Sequence, residues 1–140
     1  MKRITSIALC VLASLAAVGS ASAQDHAATA TVPFGFYIGN NWIPSGTYKL
    51  TSDSGSPNVI TIRNADSTVA MLSLAQSDGN RSKKDTLVFK KYGDQYFLHE
   101  ILCSSRNMNV AFPKSKREKL AGEHAEASIS APTNVFLALK

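Results

Sequence analysis

The chain has 140 residues, 15 Lys and Arg against 10 Asp and Glu, and a formal net charge of +5. That length fits one domain of ordinary size. Two cysteines, one of them in the N-terminal segment, exclude an intramolecular disulfide framework, so the fold must stand on its apolar core.

The first residues have the three parts of a secretory signal peptide. Lys2 and Arg3 are the positive n-region, residues 4–18 are apolar apart from Thr5, Ser6 and Ser14, and Ala21-Ser22-Ala23 is an A-x-A cleavage site. Small residues are needed there because the peptidase pocket admits little else. The apolar run is short for a membrane span of about 20 residues. Leu9 before Cys10 does not fit a lipoprotein acceptor, and no later segment is apolar enough to span a bilayer. The expected organisation is a signal peptide at 1–23 and a single β-rich domain at 24–140, exported to the periplasm or beyond. Export leaves 13 basic and 10 acidic residues, a charge of +3. That charge calls for no nucleic-acid partner.

Period-two alternation dominates the mature chain and predicts strands. Val32, Phe34, Phe36 and Ile38 alternate with Thr31, Pro33, Gly35 and Tyr37, which predicts one strand with a strongly apolar face. Pro33 has no N–H to donate, so this strand belongs at an edge or carries a bulge. His26, before it, is expected to be disordered near the mature N-terminus. Gly39-Asn40-Asn41 and Pro44-Ser45-Gly46 read as turns on either side of Trp42 and Ile43. Tyr48 and Leu50 point one way, Lys49 and Thr51 the other. Ile60 and Ile62 alternate with Val59, Thr61 and Arg63. Residues 68–75 are apolar on both faces, as for a central strand covered on both sides, and residues 76–84 are polar.

The clearest hairpin flanks Gly93-Asp94, which suits a two-residue type II′ turn with Gly first. Regular pairing from that turn puts Leu87, Phe89, Tyr96 and Leu98 on one face and Val88, Tyr92, Phe97 and Ile101 on the other. Ser115, followed by Glu118, predicts a capped short helix that stops at Gly122 or continues to Ala127. Val135 to Leu139 is a final strand candidate. The pattern as a whole predicts an all-β antiparallel sandwich or small barrel-like domain with one short helix.

Several segments, taken in order, resemble a family of small exported β-rich proteins frequent in Acidobacteria and related soil bacteria. They are Val32-Pro33-Phe34-Gly35-Phe36, then Pro44-Ser45-Gly46-Thr47-Tyr48, Tyr92-Gly93-Asp94-Gln95-Tyr96-Phe97-Leu98, and Pro113-Lys114-Ser115-Lys116-Arg117-Glu118. The resemblance covers nearly the whole mature chain. It implies export and one domain, and it supplies no catalytic residues. Gly35 departs from the pattern, which commonly has an acidic residue there.

No catalytic, cofactor or metal constellation stands out. His26, His99 and His124 share no ligand spacing. Cys103 ends an apolar run and is expected to be buried. There is no G-x-S-x-G, no placeable Ser/His/Asp arrangement and no phosphate loop. His99 and Glu100 are adjacent on a strand, so they are expected on opposite faces, with Glu100 beside Leu87, Leu98 and Leu102. A carboxylate on an apolar face is a candidate acid or base.

The run from Lys114 to Lys119 has four cations, Lys114, Lys116, Arg117 and Lys119, and one anion. It is either a solvated helix face or a contact for an anionic surface such as phospholipid headgroups or acidic polysaccharide. The many aromatics exceed one small core, and the surplus lines a pocket or partner surface. The candidate ligand contacts are Trp42, Tyr92, His99 and Glu100. The leading expectation is a non-catalytic binding or interaction module of the cell envelope. The alternatives are a carrier of a small apolar ligand between β layers, and a small hydrolase or isomerase using Glu100 or His99.

Overall fold

A computed structural model describes residues 26–53, 55–66, 70–77 and 83–140. The expected signal peptide, Thr68 and Val69 of the predicted central strand, and residues 78–82 of the polar stretch lie outside the described residues. In chain order the strands are β1 (His26–Val32), β2 (Phe36–Ile38), β3 (Asn41–Ile43), β4 (Gly46–Asp53), β5 (Ser56–Asn64), β6 (Ala70–Leu74), β7 (Gln76–Ser77), β8 (Thr86–Tyr92), β9 (Gln95–Cys103), β10 (Met108–Ala111) and β11 (Thr133–Ala138). One α-helix, α1 (Lys116–Ala127), lies between β10 and β11. The domain is mainly β with one helix, and its curled sheets form a half-barrel or sandwich-like arrangement.

The first sheet runs β1-β4-β5-β6 and the second β11-β8-β9-β10-β7, with β2 beside β9 and β3 on β2. The sheets meet at two corners. Thr29 and Lys140 exchange two backbone hydrogen bonds of 2.9 Å, which join β1 to the end of β11. Ala75 separates β6 from β7 and donates its N–H to the Asn58 carbonyl at 2.8 Å.

The apolar run 32–38 is two strands, not one. Pro33, Phe34 and Gly35 carry the chain from the first sheet, where β1 pairs with β4, to the second, where β2 pairs with β9. The missing N–H of Pro33 would break a ladder, so the crossing falls there. His26, expected to be disordered, opens β1 opposite Ser52. The alanines of β1 carry little strand propensity, and pairing supplies what propensity does not.

The interior is filled by side chains from both sheets, among them Tyr48, Leu50, Ile60, Ile62, Leu87, Phe89, Leu98 and Ile101. Phe89 meets Phe34 and Phe36 edge-on, each with ring centroids 5.3 Å apart. Phe34 also stacks on Tyr96. The Tyr48 hydroxyl donates to the Pro44 carbonyl, so its burial leaves no donor unsatisfied.

The β8–β9 hairpin turns at Gly93-Asp94 as expected. Tyr92 pairs with Gln95, Gly93 has φ +57°, and Asp94 keeps a negative φ, the signature of a type II′ turn. Further along, the regular register fails. Phe89 pairs with Leu98 but Val88 pairs with Glu100, which leaves His99 as the extra residue of a β-bulge. The bulge sits where the edge partner of β9 changes from β2 to β10. Beyond it the side-chain alternation is reversed. Ile101 therefore joins Leu87, Phe89 and Leu98 in the interior, whereas Glu100 faces outward with Val88.

Residues 70–75 are not covered on both sides. β6 is the last strand of its sheet, and Leu72 and Leu74 are 66% and 72% exposed on its outer face.

Candidate functional site

The outer face of the second sheet carries α1. The helix buries Glu118, Ala121 and Ala125 against the sheet, and Ala121 and Ala125 form a second apolar cluster with Tyr92, Phe97 and Tyr37. Small residues on this stripe let the helix sit close to the rings. Its start is tied down twice: the Ser115 hydroxyl accepts the Glu118 N–H at 3.1 Å, and the Asn40 side-chain oxygen accepts the Arg117 N–H at 3.5 Å. Asn40 comes from the β2–β3 turn, which Gly39 makes with a φ of +60°.

Gly122 does not stop the helix. The stop is a Schellman motif, with Ile129 N–H bonded to the Glu126 carbonyl and Ser130 N–H to the Ala125 carbonyl. Ile129 occupies the left-handed position at φ +57° and is 97% exposed. A β-branched residue is strained there and gains nothing from burial. Ile129→Gly is expected to raise stability by about 1 kcal/mol in urea denaturation. A loss of stability would refute the strain.

Glu118 does not complete the capping box. Its carboxylate turns inward and accepts the Tyr92 hydroxyl at 3.2 Å. Burial first, then the Glu118 charge and hydrogen bond, push the Tyr92 hydroxyl up to about 12. The unfolded phenol ionises near pH 10 and the folded one near 12, so above pH 10 ionisation favours the unfolded chain. The stability that protonated Tyr92 contributes is fully present below pH 10 and is lost as pH rises towards about 12. Tyr92→Phe is expected to flatten that alkaline decline in melts at successive pH values; an unchanged decline would place its cause elsewhere.

Clefts border the helix on several sides; one lies over the β8–β9 turn, with Asp94, Gln95, Ala121 and His124 in its lining, and two others carry the cations of the helix. The first of these two, of about 350 Å³, is lined by Asn40, Gln95, Arg117, Leu120, Ala121 and His124. Arg117 is held over the Tyr37 ring, its guanidinium 4.8 Å from the centroid and its Nη1 donating to the Tyr37 hydroxyl at 3.4 Å. Tyr37 stacks in turn on Phe97 and lies opposite Trp42 in the β2–β3 pair. Trp42 is 59% exposed, and its indole lies on the Gly35 backbone: a Cβ on residue 35 would come within 2.9 Å of Cζ2. The other cleft, of about 330 Å³, lies over Tyr92 and Glu118 between Lys90, Lys114 and Lys119, with Glu123 and Glu126 at its side.

Comparison with protein-family models, curated proteins and solved structures returns no match for this chain.

The structure thus separates the residues singled out in the sequence. Arg117 lies over the Tyr37 ring, and Trp42 is the partner of Tyr37 in the β2–β3 pair. Tyr92, Lys114 and Lys119 share the second cleft. Lys116 is exposed on the helix and lines neither cleft. His99 and Glu100 lie apart from both clefts, and they correct the expectation of opposite faces. The bulge brings His99 Nε2 to 3.5 Å from Glu100 Oε1, a distance at which an acid–base pair can form. Cys103 is buried and free; its sulfur accepts from Arg106 at 3.7 Å, and with no exposure it has no access to a substrate. Beside it Ser105 and Arg106 both engage Asp85. The Ser105 hydroxyl, above all, holds the Asp85 carboxyl below the usual carboxylate range. Among the described residues no three His, Cys, Asp or Glu side chains come together to hold a metal, and no helix is long and apolar enough to cross a membrane.

Sequence reasoning missed Tyr37, Asn40, Gln95 and His124. His124 was within reach, because Arg117, Leu120, Ala121 and His124 follow the i, i+3, i+4, i+7 spacing of one face. Asn40 comes from the β2–β3 turn and Gln95 from the start of β9, and nothing local in the sequence relates them.

Proposed function

We propose that the chain is exported and acts as a non-catalytic binding module for an anionic component of the cell envelope, with α1 and its flanking clefts as the contact surface. The observation that carries this reading is the charge order of the helix. Lys114, Lys116, Arg117 and Lys119 crowd its N-terminal end, where the acidic Glu118 is buried on Tyr92, and Glu123 and Glu126 occupy the C-terminal half. The macrodipole favours the reverse order, at about 0.3–1 kcal/mol for each charge in a terminal turn. The cations are exposed and have no carboxylate partner within ion-pair distance among the described residues. They therefore oppose local stability, and contact with an anion supplies a reason for them.

The signal-like N-terminus supports export, and the filled interior between the sheets agrees with a ligand held on the surface. The test is binding to anionic vesicles and to acidic polysaccharide at low salt. Lys114→Glu, Lys116→Glu and Lys119→Glu together are expected to abolish vesicle binding and to weaken polysaccharide binding, and retention of full binding to both would end this reading.

A further inference from the structure

The two cation-bearing clefts beside α1 differ in charge balance. In the cleft over Tyr92, three lysines face Glu118, Glu123 and Glu126. The cleft between the helix and the β2–β3 turn has Arg117 and His124 and no carboxylate in its own lining; Asp94 lines the adjoining cleft that shares Gln95, Ala121 and His124 with it. The Arg117 cleft is the better place for an anion. Arg117 is also preorganised: the Tyr37 ring lies under its guanidinium and the Tyr37 hydroxyl holds Nη1. A planar guanidinium fixed at one corner presents its remaining donors in the fork that matches a carboxylate.

Around that cation stand two amides, Asn40 from the β2–β3 turn and Gln95 from the start of β9. The Asn40 oxygen is engaged by the helix, which leaves its NH₂ as a donor. Amides at a rim suit hydroxyl groups, which both donate and accept. Trp42 lies opposite Tyr37 in the β2–β3 pair. Gly35 supports one face of its indole, and the exposed remainder forms a flat apolar platform. Such a platform fits the C–H face of a pyranose ring.

A fixed guanidinium and two amides in one cleft, with an aromatic platform on the neighbouring strand β3, make a site for a carboxylated sugar. A bilayer surface fits it less well. The guanidinium sits within a cleft, and the exposed large apolar side chain of its lining is Leu120.

The geometry points to recognition of an acidic glycan at this cleft, with a sugar carboxylate on Arg117 and a neighbouring ring on Trp42. This inference rests on the reading of α1 as an anion-binding surface and names its ligand class.

The test uses the secreted protein and two probes, an oligogalacturonate and its methyl ester. The chain has one tryptophan, so the emission of Trp42 reports on the site directly. The oligogalacturonate is expected to change that emission saturably, and the ester to do so at least about tenfold more weakly. Arg117→Ala is expected to cost about tenfold in affinity. Gly35→Ala keeps the tryptophan but pushes the indole off its seat, and it is expected to weaken binding several-fold. Both positions are outside the core, and far-UV circular dichroism checks that the fold is retained.

Equal binding of the ester, or unchanged affinity in Arg117→Ala and Gly35→Ala, would overturn the assignment. Binding of anionic vesicles without oligogalacturonate binding would also overturn it and leave the broader function standing. Failure with both probes and with vesicles would remove both.

Discussion

Phe89→Ala is expected to lower the free energy of unfolding by about 3–5 kcal/mol, the largest single effect foreseen for this protein. The ring is fully buried, and it meets Phe34 and Phe36 edge-on where the interior side chains of both sheets converge. Truncation removes the transfer free energy of the ring and leaves a cavity bounded by paired strands that cannot close over it. Phe34 belongs to the segment that carries the chain between the sheets, so the loss also loosens that crossing. Domains of this size have roughly 5–15 kcal/mol of stability in total. The variant should therefore unfold at a much lower urea concentration, with an unchanged slope if the unfolded state is unaffected. A loss under about 1.5 kcal/mol would mean that the interior repacks and that Phe89 is not central to it.

The combined change of Lys114, Lys116 and Lys119 to Glu should move two properties in opposite directions. Binding to anionic vesicles is expected to disappear and binding to acidic glycans to weaken, because each exposed cation facing such a surface contributes on the order of 1 kcal/mol and reversal makes each one repulsive. Thermal stability is expected to rise. Lys116 is in the first turn of α1 and Lys114 just before it, so acidic replacements meet the positive end of the macrodipole. The gain should be about 1 kcal/mol at low ionic strength and should shrink with added salt. A stability loss would mean that these lysines hold the helix in place, and the argument from charge order would fail.

Much of the architecture was legible in the sequence because alternation reports directly on strands with one buried side. The inward set of β4, the Gly93-Asp94 turn and the Ser115 cap all follow from local rules. What was illegible depends on partners distant in the chain. The strand break at Pro33 follows from pairing with two different sheets, and the same alternation serves both halves. The bulge at His99 has no marker in β9 itself; it arises where one edge partner gives way to another. That one extra residue reversed the facing of Glu100 and Ile101 and brought His99 to Glu100. At the site, the cations of α1 and the exposed Trp42 could be picked out individually. Their meeting around Tyr37, and the roles of Asn40 and Gln95, required the helix to be laid on the sheet.

The most direct test of the central claim is a salt titration of the secreted protein binding to its own isolated envelope fraction. Binding should be strong at about 20 mM salt and should weaken steeply towards physiological ionic strength, where the Debye length falls to about 8 Å. The Lys114, Lys116 and Lys119 reversal should remove the salt-dependent part. Absence of binding at the lowest salt, or binding that neither salt nor the reversal changes, would contradict an anion-directed envelope module.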